Sequence, residues 1–248
     1  MTTSAGHAAK ADYGYDAPNV VVKLFLIGAT LVVLGVLFAK RVFTLPTTFI
    51  DPSTFISAGV FLAVSGIWMI VGSRSLKFRT RDRLMKDLAL RGDENTLDVG
   101  CGRGLLLIGS AKRLTTGKAM GVDIWQTMDQ SGNDPSVTLQ NAEREGVSSK
   151  IKIVTGDARK LPFDNATFDV ITSSWAIHNI PTPQEREQAL AEMLRVLKPG
   201  GKLALIDIQY YRQYKKFFEG RPEVSFEMKG PDFTFLIPSH LILLKKNG

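Results

Sequence analysis

The sequence contains little that forms cross-links or binds transition metals. Its 248 residues include one cysteine, Cys101, and three histidines. A single cysteine excludes an intramolecular disulfide and any cysteine-based zinc site, so we predict no metal site. We expect Cys101 to be a small residue that fills a turn. The scarcity of cysteine is typical of a reducing compartment.

A nucleic-acid-binding stripe is also missing, although the formal net charge is +7. No stretch of basic residues is interleaved with aromatic ones, so we expect no nucleic-acid partner. The basic residues instead cluster after residue 72, where cations that flank a membrane segment face anionic headgroups. The cluster consists of Arg74, Lys77, Arg79, Arg81, Arg83 and Lys86.

Charge is scarce over two long apolar runs. Val20–Ala39 is a run of 20 residues whose only charge, Lys23, lies close enough to one end to reach the membrane surface. Thr54–Gly72 carries no charge. About 20 apolar residues suffice for a helix to cross the hydrocarbon core of a bilayer. The pattern predicts a mobile N-terminal tail over residues 1–19, a two-helix membrane anchor over residues 20–75 and a soluble domain over residues 76–248.

The orientation of this anchor follows from its flanking charges. Two crossings put both ends on one side, and the basic cluster places that side, with the large domain, in the cytoplasm. A hairpin inserted in one leaflet has the same sidedness. A buried helical hairpin in a soluble protein stays open as an alternative. A signal peptide fits poorly, because the first run begins late, lacks a strongly basic leader and is followed by a second run.

From residue 76 onward, helical and extended patterns alternate. A basic amphipathic helix over Leu76–Arg91 precedes strands that alternate with helices, which predicts a mostly parallel sheet with helices on both faces. The final two strands, Glu223–Lys229 and Pro238–Lys245, are expected to form an antiparallel edge. The fold class is therefore α/β, Rossmann-like. The predicted parallel strands are Thr96–Val99, Ala119–Asp123, Ile151–Thr155, Phe168–Ser173 and Lys202–Ile208.

A glycine-rich turn follows the first strand. Leu97–Gly104 reads Leu-Asp-Val-Gly-Cys-Gly-Arg-Gly, with glycines at alternate positions. Glycine lets the backbone turn tightly and lets a ligand approach the bare chain. A turn that holds pyrophosphate presents amide N–H groups to an anion. Here Asp98 adds negative charge, which suits a ligand with cationic groups such as S-adenosylmethionine (SAM), which has an ammonium and a sulfonium.

A second carboxylate, Asp123, ends the second strand. An acidic residue at this position holds ribose hydroxyls in Rossmann-like sheets. The spacing Gly-x-Gly-x-Gly differs from the dinucleotide pattern Gly-x-Gly-x-x-Gly. An NAD-dependent reductase is therefore the less favoured alternative.

Five motifs in order carry a family resemblance over about residues 79–244. Leu97–Gly104 is followed by Gly121-Val122-Asp123 and Gly156-Asp157-Ala158. Leu161-Pro162-Phe163 with Phe168-Asp169-Val170-Ile171 comes next, and Leu194–Gly201 is last. The sequence resembles the class I SAM-dependent methyltransferases, especially the small-molecule branch that includes quinone-precursor methyltransferases.

The resemblance implies a role for each strand end. The turn lies beside the methionine part of SAM, Asp123 takes the ribose hydroxyls, and Asp157 accepts from the adenine amine. Ser173 and Ser174 border the methyl group and the acceptor. The cofactor-binding residues it implies are Asp98, Gly100, Cys101, Gly102, Gly104, Asp123, Ile124, Trp125, Gly156, Asp157, Ala158, Ser173 and Ser174.

His178, just beyond the fourth strand, is the candidate general base. A phenol or enol acceptor must lose a proton on methylation, and the near-neutral pKa of histidine suits that task. A histidine that only fixes its loop is the alternative. An anchored domain favours a small, lipophilic acceptor (a phenol, quinone precursor, thiol or lipid), with membrane lipid as a further partner. A membrane-tethered SAM-binding or scaffold protein without transfer activity is the competing function.

Overall fold

A computed structural model describes residues 10–40, 51–126, 133–234 and 236–248. Residues 15–77 form one compact unit, and the other described residues form a second, larger unit. Residues 1–9 of the predicted tail lie outside the described residues.

The larger unit is built on a seven-stranded sheet of order β3-β2-β1-β4-β5-β7-β6. The first five strands in this order are parallel, and β7 pairs antiparallel with both β5 and β6. The predicted parallel sheet with an antiparallel edge is confirmed. The strands are β1 (Asn95–Val99), β2 (Lys118–Asp123), β3 (Ile151–Thr155), β4 (Phe168–Ser174), β5 (Leu197–Asp207), β6 (Val224–Asp232) and β7 (Ser239–Lys246).

Among the described residues, seven α-helices form the connections and the N-terminal pair. Three of them begin with a side-chain cap: the Asp51 side chain accepts from the amide of Ser53, the Asp134 side chain accepts from the amide of Ser136, and Thr182 forms a capping box with Glu185. Such caps each contribute about 1 kcal/mol. The helices are α1 (Pro18–Ala39), α2 (Pro52–Val71), α3 (Lys77–Leu88), α4 (Leu105–Ala111), α5 (Pro135–Arg144), α6 (Pro183–Val196) and α7 (Tyr211–Glu219).

The strand boundary that differs most from the sequence prediction is the start of β5. β5 begins at Leu197 rather than Lys202, because the chain before the Pro199–Gly201 turn is already extended and Phe168 pairs with Leu197. After β5, residues Tyr211–Glu219 form a regular helix, α7. It is held because the side chains of Tyr214 and Phe218 are buried on one of its faces.

Hydrophobic layers cover both faces of the sheet. On one face, Leu97 and Leu203 pack with α6 and α7. On the other, Val170 and Ala204 pack with Leu84 and neighbouring residues of α3 and α4. Successive side chains of a strand point to opposite faces, so strands buried on both sides carry continuous apolar runs.

The smaller unit is a helical pair with an unusual distribution of side-chain size. Glycines lie inside: a Cβ on Gly28 would lie 2.9 Å from the carbonyl oxygen of Gly59, and Gly35 and Gly66 are also buried. Large apolar side chains face outward, and Phe61 is 65% exposed. Both helices are long and apolar enough to cross a membrane. Close backbone contact through glycine is typical of helices that pack in lipid.

Part of the predicted basic cluster is engaged within the protein. Lys77 is buried and its Nζ lies 3.2 Å from Oδ2 of Asp16, while the side chain of Arg81 is only 11% exposed. The burial leaves four cations of the cluster exposed to solvent. They are Arg74, Arg79, Arg83 and Lys86.

The described part of the predicted mobile tail is packed. Tyr13 is 4% exposed, its hydroxyl donates to Glu145, and its ring meets Phe78 edge-on at 5.5 Å. Residues 10–14 belong to the larger unit. The aromatic side chain of Tyr13 therefore holds this segment against the larger unit.

Candidate cofactor site

The glycine-rich turn joins β1 to α4 in left-handed backbone geometry. Gly100, Gly102 and Gly104 have φ of 71°, 47° and 87°. A Cβ on Gly100 would lie 2.2 Å from the Cβ of Ala176. The first glycine is therefore required both by its φ and by a close neighbour. The turn lies at the carboxyl end of β1, on the edge of the sheet where ligands bind in open α/β folds.

Asp98 is a buried carboxylate with uncharged hydrogen-bond donors. Its Oδ1 accepts from the Thr172 hydroxyl at 2.8 Å, and its Oδ2 accepts from the amide of Leu107 at 3.0 Å. Burial, with a smaller contribution from the nearby charge of Asp123, raises the pKa of Asp98 to about 7, although the hydrogen bonds from Thr172 and Leu107 lower it. A cationic group bound beside Asp98 would favour its ionised form.

Asp123 ties the glycine-rich turn to the end of β2. Its Oδ2 accepts from the amide of Gly102 at 2.8 Å, and its Oδ1 accepts from the amide of Trp125 at 2.7 Å. The Asn133 side-chain amide donates to the same Oδ1 at 3.3 Å. Asp123 therefore contacts the turn that follows Asp98 along the chain.

The residues after β2 differ in exposure. Ile124 is 48% exposed, as a residue facing a ligand would be. The indole N–H of Trp125 donates to the Thr155 hydroxyl at 2.9 Å, which links the ends of β2 and β3.

Cys101 lies in the glycine-rich turn and is buried. Burial together with nearby carboxylates raises the pKa of its thiol. It fills the turn, as expected.

Gly156, Asp157 and Ala158 follow β3. The amide of Gly156 donates to the carbonyl of Asp123, which places this segment beside the second strand. The guanidinium of Arg159 donates to Asp157 from Nε at 2.9 Å and lowers the pKa of that carboxyl. Arg159 also pairs with Glu185. An adenine amine would therefore share the Asp157 carboxylate with Arg159.

Ser173 and Ser174 end β4 in different environments. The Ser173 hydroxyl is buried and donates to the carbonyl of Val99 at 2.8 Å, so it links β4 to β1. Ser174 is partly exposed at the last position of the strand. Of the two, Ser174 is the one accessible to a ligand.

His178 lies in a short helical turn beyond β4 and is held by Asp207. Its Nδ1 lies 2.5 Å from Oδ1 of Asp207, which is 1% exposed. Asp207 also accepts from the His178 amide at 3.1 Å and from the Tyr214 hydroxyl at 3.2 Å. A carboxylate on Nδ1 favours the tautomer in which Nε2 can accept a proton.

Strained backbone marks the same edge of the sheet. Trp125, Trp175 and Tyr210 have φ of 58°, 54° and 54°, and they follow β2, β4 and β5. Positive φ is uncommon for bulky residues and gathers at functional sites. Together these three aromatic residues make this edge of the sheet a candidate binding site.

Two site residues are missing from the sequence prediction. Asp207 ends β5, and an acidic residue at the end of a parallel strand is the signal that could have found it. Thr172 is placed by register, since it pairs with Asp98 across β1 and β4. Only the strand alignment reveals that contact.

Comparison with known proteins agrees with this geometry. Residues 97–205 match the family model described as a methyltransferase domain. A demethylmenaquinone methyltransferase from Staphylococcus aureus is 34% identical over 147 residues, which cover 55% of this chain and 56% of that protein. The chain thus spans about half the length of the curated relatives that it matches.

Solved structures share the fold at low sequence identity. A SAM-dependent methyltransferase from Methanococcus maripaludis, described as putative, aligns with a TM-score of 0.57 at 16% identity and covers 75% of this chain and 93% of its own. A geranyl diphosphate C-methyltransferase from Streptomyces coelicolor, bound to S-adenosyl-L-homocysteine, aligns with a TM-score of 0.58 at 15% identity, covering 72% and 82%.

Residues 97–205 are thus similar to a methyltransferase domain, and the larger unit has a Rossmann-like fold that solved methyltransferase structures share. The range that matches the family model includes the glycine-rich turn.

Proposed function

We propose that this protein transfers the methyl group of SAM to a small lipophilic acceptor at a membrane surface. The observation that carries the proposal is Asp98, a buried carboxylate whose pKa is raised to about 7 and which lies in β1 two residues before the glycine-rich turn. A buried acidic group with uncharged donors gains most from a cationic ligand.

Each strand end has a part in holding SAM. The turn from Gly100 to Gly104 and Asp98 would hold its methionine part, and Asp123 its ribose. Ile124 and Trp125 would flank the adenine, and Asp157 with Ala158 would contact the adenine edge. When bound, SAM supplies an electrophilic methyl group on its sulfonium. The chain orients the reactants and excludes water, which is the main catalytic contribution of a protein in such transfers.

His178 is suited to remove a proton from a phenol or enol acceptor. Its Nε2 would take the proton, and Asp207 on Nδ1 would stabilise the imidazolium that forms. The buried carboxylate of Asp207 lies out of solvent, and its contact with Nδ1 fixes the ring orientation.

The helical pair supports a membrane anchor. Its large apolar side chains face outward and its glycines face inward, which is the reverse of a pair that packs in water. The chain enters the pair from residues 10–14 and leaves it into residues 78–248, which belong to one folded unit. Both ends of the pair would then start on the same side of a bilayer, in agreement with two crossings or a one-leaflet hairpin. The exposed cations favour the cytoplasmic side.

An anchored site would meet acceptors that partition into lipid. Two related proteins are named for a demethylmenaquinone and for geranyl diphosphate, which carry or consist of isoprenoid chains. We therefore favour an isoprenoid quinone precursor or another prenylated acceptor for this chain.

The test is incubation of the protein with isotope-labelled SAM and a membrane lipid extract, followed by mass spectrometry. We expect label in a lipid-soluble product. A scaffold protein would bind SAM in a titration and yield no labelled product. Binding of a nicotinamide cofactor in place of SAM would support the reductase alternative.

A further inference from the structure

The segment before the helical pair is hydrogen-bonded to the helix that follows the cofactor turn. The amide of Asp12 donates to Oδ1 of Asn141 at 2.8 Å, and Nδ2 of Asn141 donates back to the carbonyl of Asp12 at 2.8 Å. The same Nδ2 donates to the carbonyl of Arg103 at 3.0 Å. One fully buried amide on α5 thus holds both the N-terminal segment and the glycine-rich turn.

A charged contact adds to this link. Nη1 of Arg103 donates to Oδ2 of Asp12 at 2.7 Å, and the Arg103 side chain is only 11% exposed. The amide of Gly14 donates to Oδ1 of Asp12 at 2.9 Å and fixes that carboxylate. Arg103 lies between Gly102 and Gly104, so Asp12 contacts the turn itself.

Two further contacts hold the N-terminal segment and the glycine-rich turn in place. Tyr13 is buried and reaches Glu145, just after α5. The Thr138 hydroxyl donates to the carbonyl of Gly102 at 2.6 Å. Thr138 and Asn141 therefore bind consecutive carbonyls of the turn. The N-terminal segment covers the side chain of Arg103.

We propose that residues 10–14 act as a clamp on the cofactor turn, with Asp12 as a positioning residue that acts through Arg103. This inference rests on the proposed SAM site. Glycine-rich turns lose much conformational freedom on ordering. A turn that is already ordered binds its ligand with a smaller entropic cost. Residues 10–14 would then contribute to cofactor binding, although they precede the two apolar helices in the sequence.

The test uses the full-length chain in detergent micelles, titrated with SAM by calorimetry. Asp12→Ala should weaken SAM binding about fivefold, a modest effect because the Asp12 carboxylate is partly solvent-screened. Asp12→Glu should restore most of the affinity. Glu143→Gln is the matched control, since it removes an exposed charge from the same helix as Asn141 and should leave SAM affinity unchanged.

Hydrogen exchange gives a second readout without ligand. In Asp12→Ala, amides of residues 100–104 should exchange faster, while amides of β1 stay protected. If Asp12→Ala is poorly folded, Asp12→Asn keeps the side-chain size and should show the same direction of change.

The outcomes separate the two proposals. If the wild-type protein binds SAM and the Asp12→Ala variant has the same SAM affinity and the same hydrogen-exchange rates, the clamp is overturned and the proposed function is left intact. Wild-type protein that does not bind SAM would overturn the proposed function itself.

Discussion

Nδ1 of His178 lies 2.5 Å from Oδ1 of Asp207, and the carboxylate is almost wholly buried. If His178 acts as the general base, its replacement removes the imidazole that accepts the proton from the acceptor. We expect His178→Ala to lower turnover of a phenolic or enolic acceptor about 100-fold, the lower end of the general-base contribution. SAM affinity should change little, since His178 lies beyond the residues assigned to SAM. Steady-state kinetics and a SAM titration check both expectations. Unchanged turnover would leave His178 as a residue that fixes its loop.

Asp98 should make ligand-free stability depend on pH. Burial raises its folded-state pKa to about 7, above an unfolded value of about 3.9. Because the folded state binds the proton more tightly, this contribution to stability is complete below about pH 4 and is lost as the pH rises through about 7. A cationic ligand favours the carboxylate and opposes the loss.

Thermal unfolding from pH 5 to 8, with and without SAM, measures this effect. The increase in Tm on adding SAM should be larger at pH 8 than at pH 5.5. Asp98→Asn should flatten the ligand-free dependence in this range. A wild-type protein and an Asp98→Asn variant with parallel profiles would refute the assignment.

Gly100 should tolerate no side chain. In Gly100→Ala, the new Cβ would meet Ala176 at 2.2 Å in a backbone with φ of 71°. Gly146→Ala is the matched control, because Gly146 has φ of 69° and open space around its Cβ position. The control should lose about 1–2 kcal/mol, the cost of a left-handed residue with a Cβ.

The Gly100 variant should lose more stability than this control and should not bind SAM. Urea unfolding gives the free energies, and calorimetry gives the affinities. Equal destabilisation of the two variants would show that the clash with Ala176 is relieved at no cost.

The helical pair predicts that the protein stays with membranes. Its outward-facing apolar side chains favour lipid over water. Alkaline carbonate should leave the protein in the membrane pellet, and detergent should release it. Release by carbonate alone would favour a peripheral or soluble protein.

Much of the fold could be predicted because local patterns determine it. The apolar runs of β1 and β4, the Asp98–Gly104 turn and the Thr182 cap each depend on neighbours in sequence. The order of the strands agrees with the general rule for alternating helices and strands.

Long-range partners could not be predicted in this way. Asp12 contacts Arg103 across 91 residues, and Asp207 contacts His178 across 29. No periodicity in the sequence predicts such pairs. Each pair is formed either by the register of the strands or by the segment that precedes the helical pair in the sequence. The same limit applies to Lys77, whose burial against Asp16 removes it from the predicted exposed cluster.

Titration of SAM into the wild-type protein and Asp98→Asn at pH 8 tests the central claim most directly. Removal of one partner from a buried charge pair costs roughly 2–5 kcal/mol, so we expect saturable wild-type binding and an affinity loss of about 30-fold or more in the variant. Absence of wild-type binding, or equal affinity in the two proteins, would contradict a site built for a cationic methyl donor.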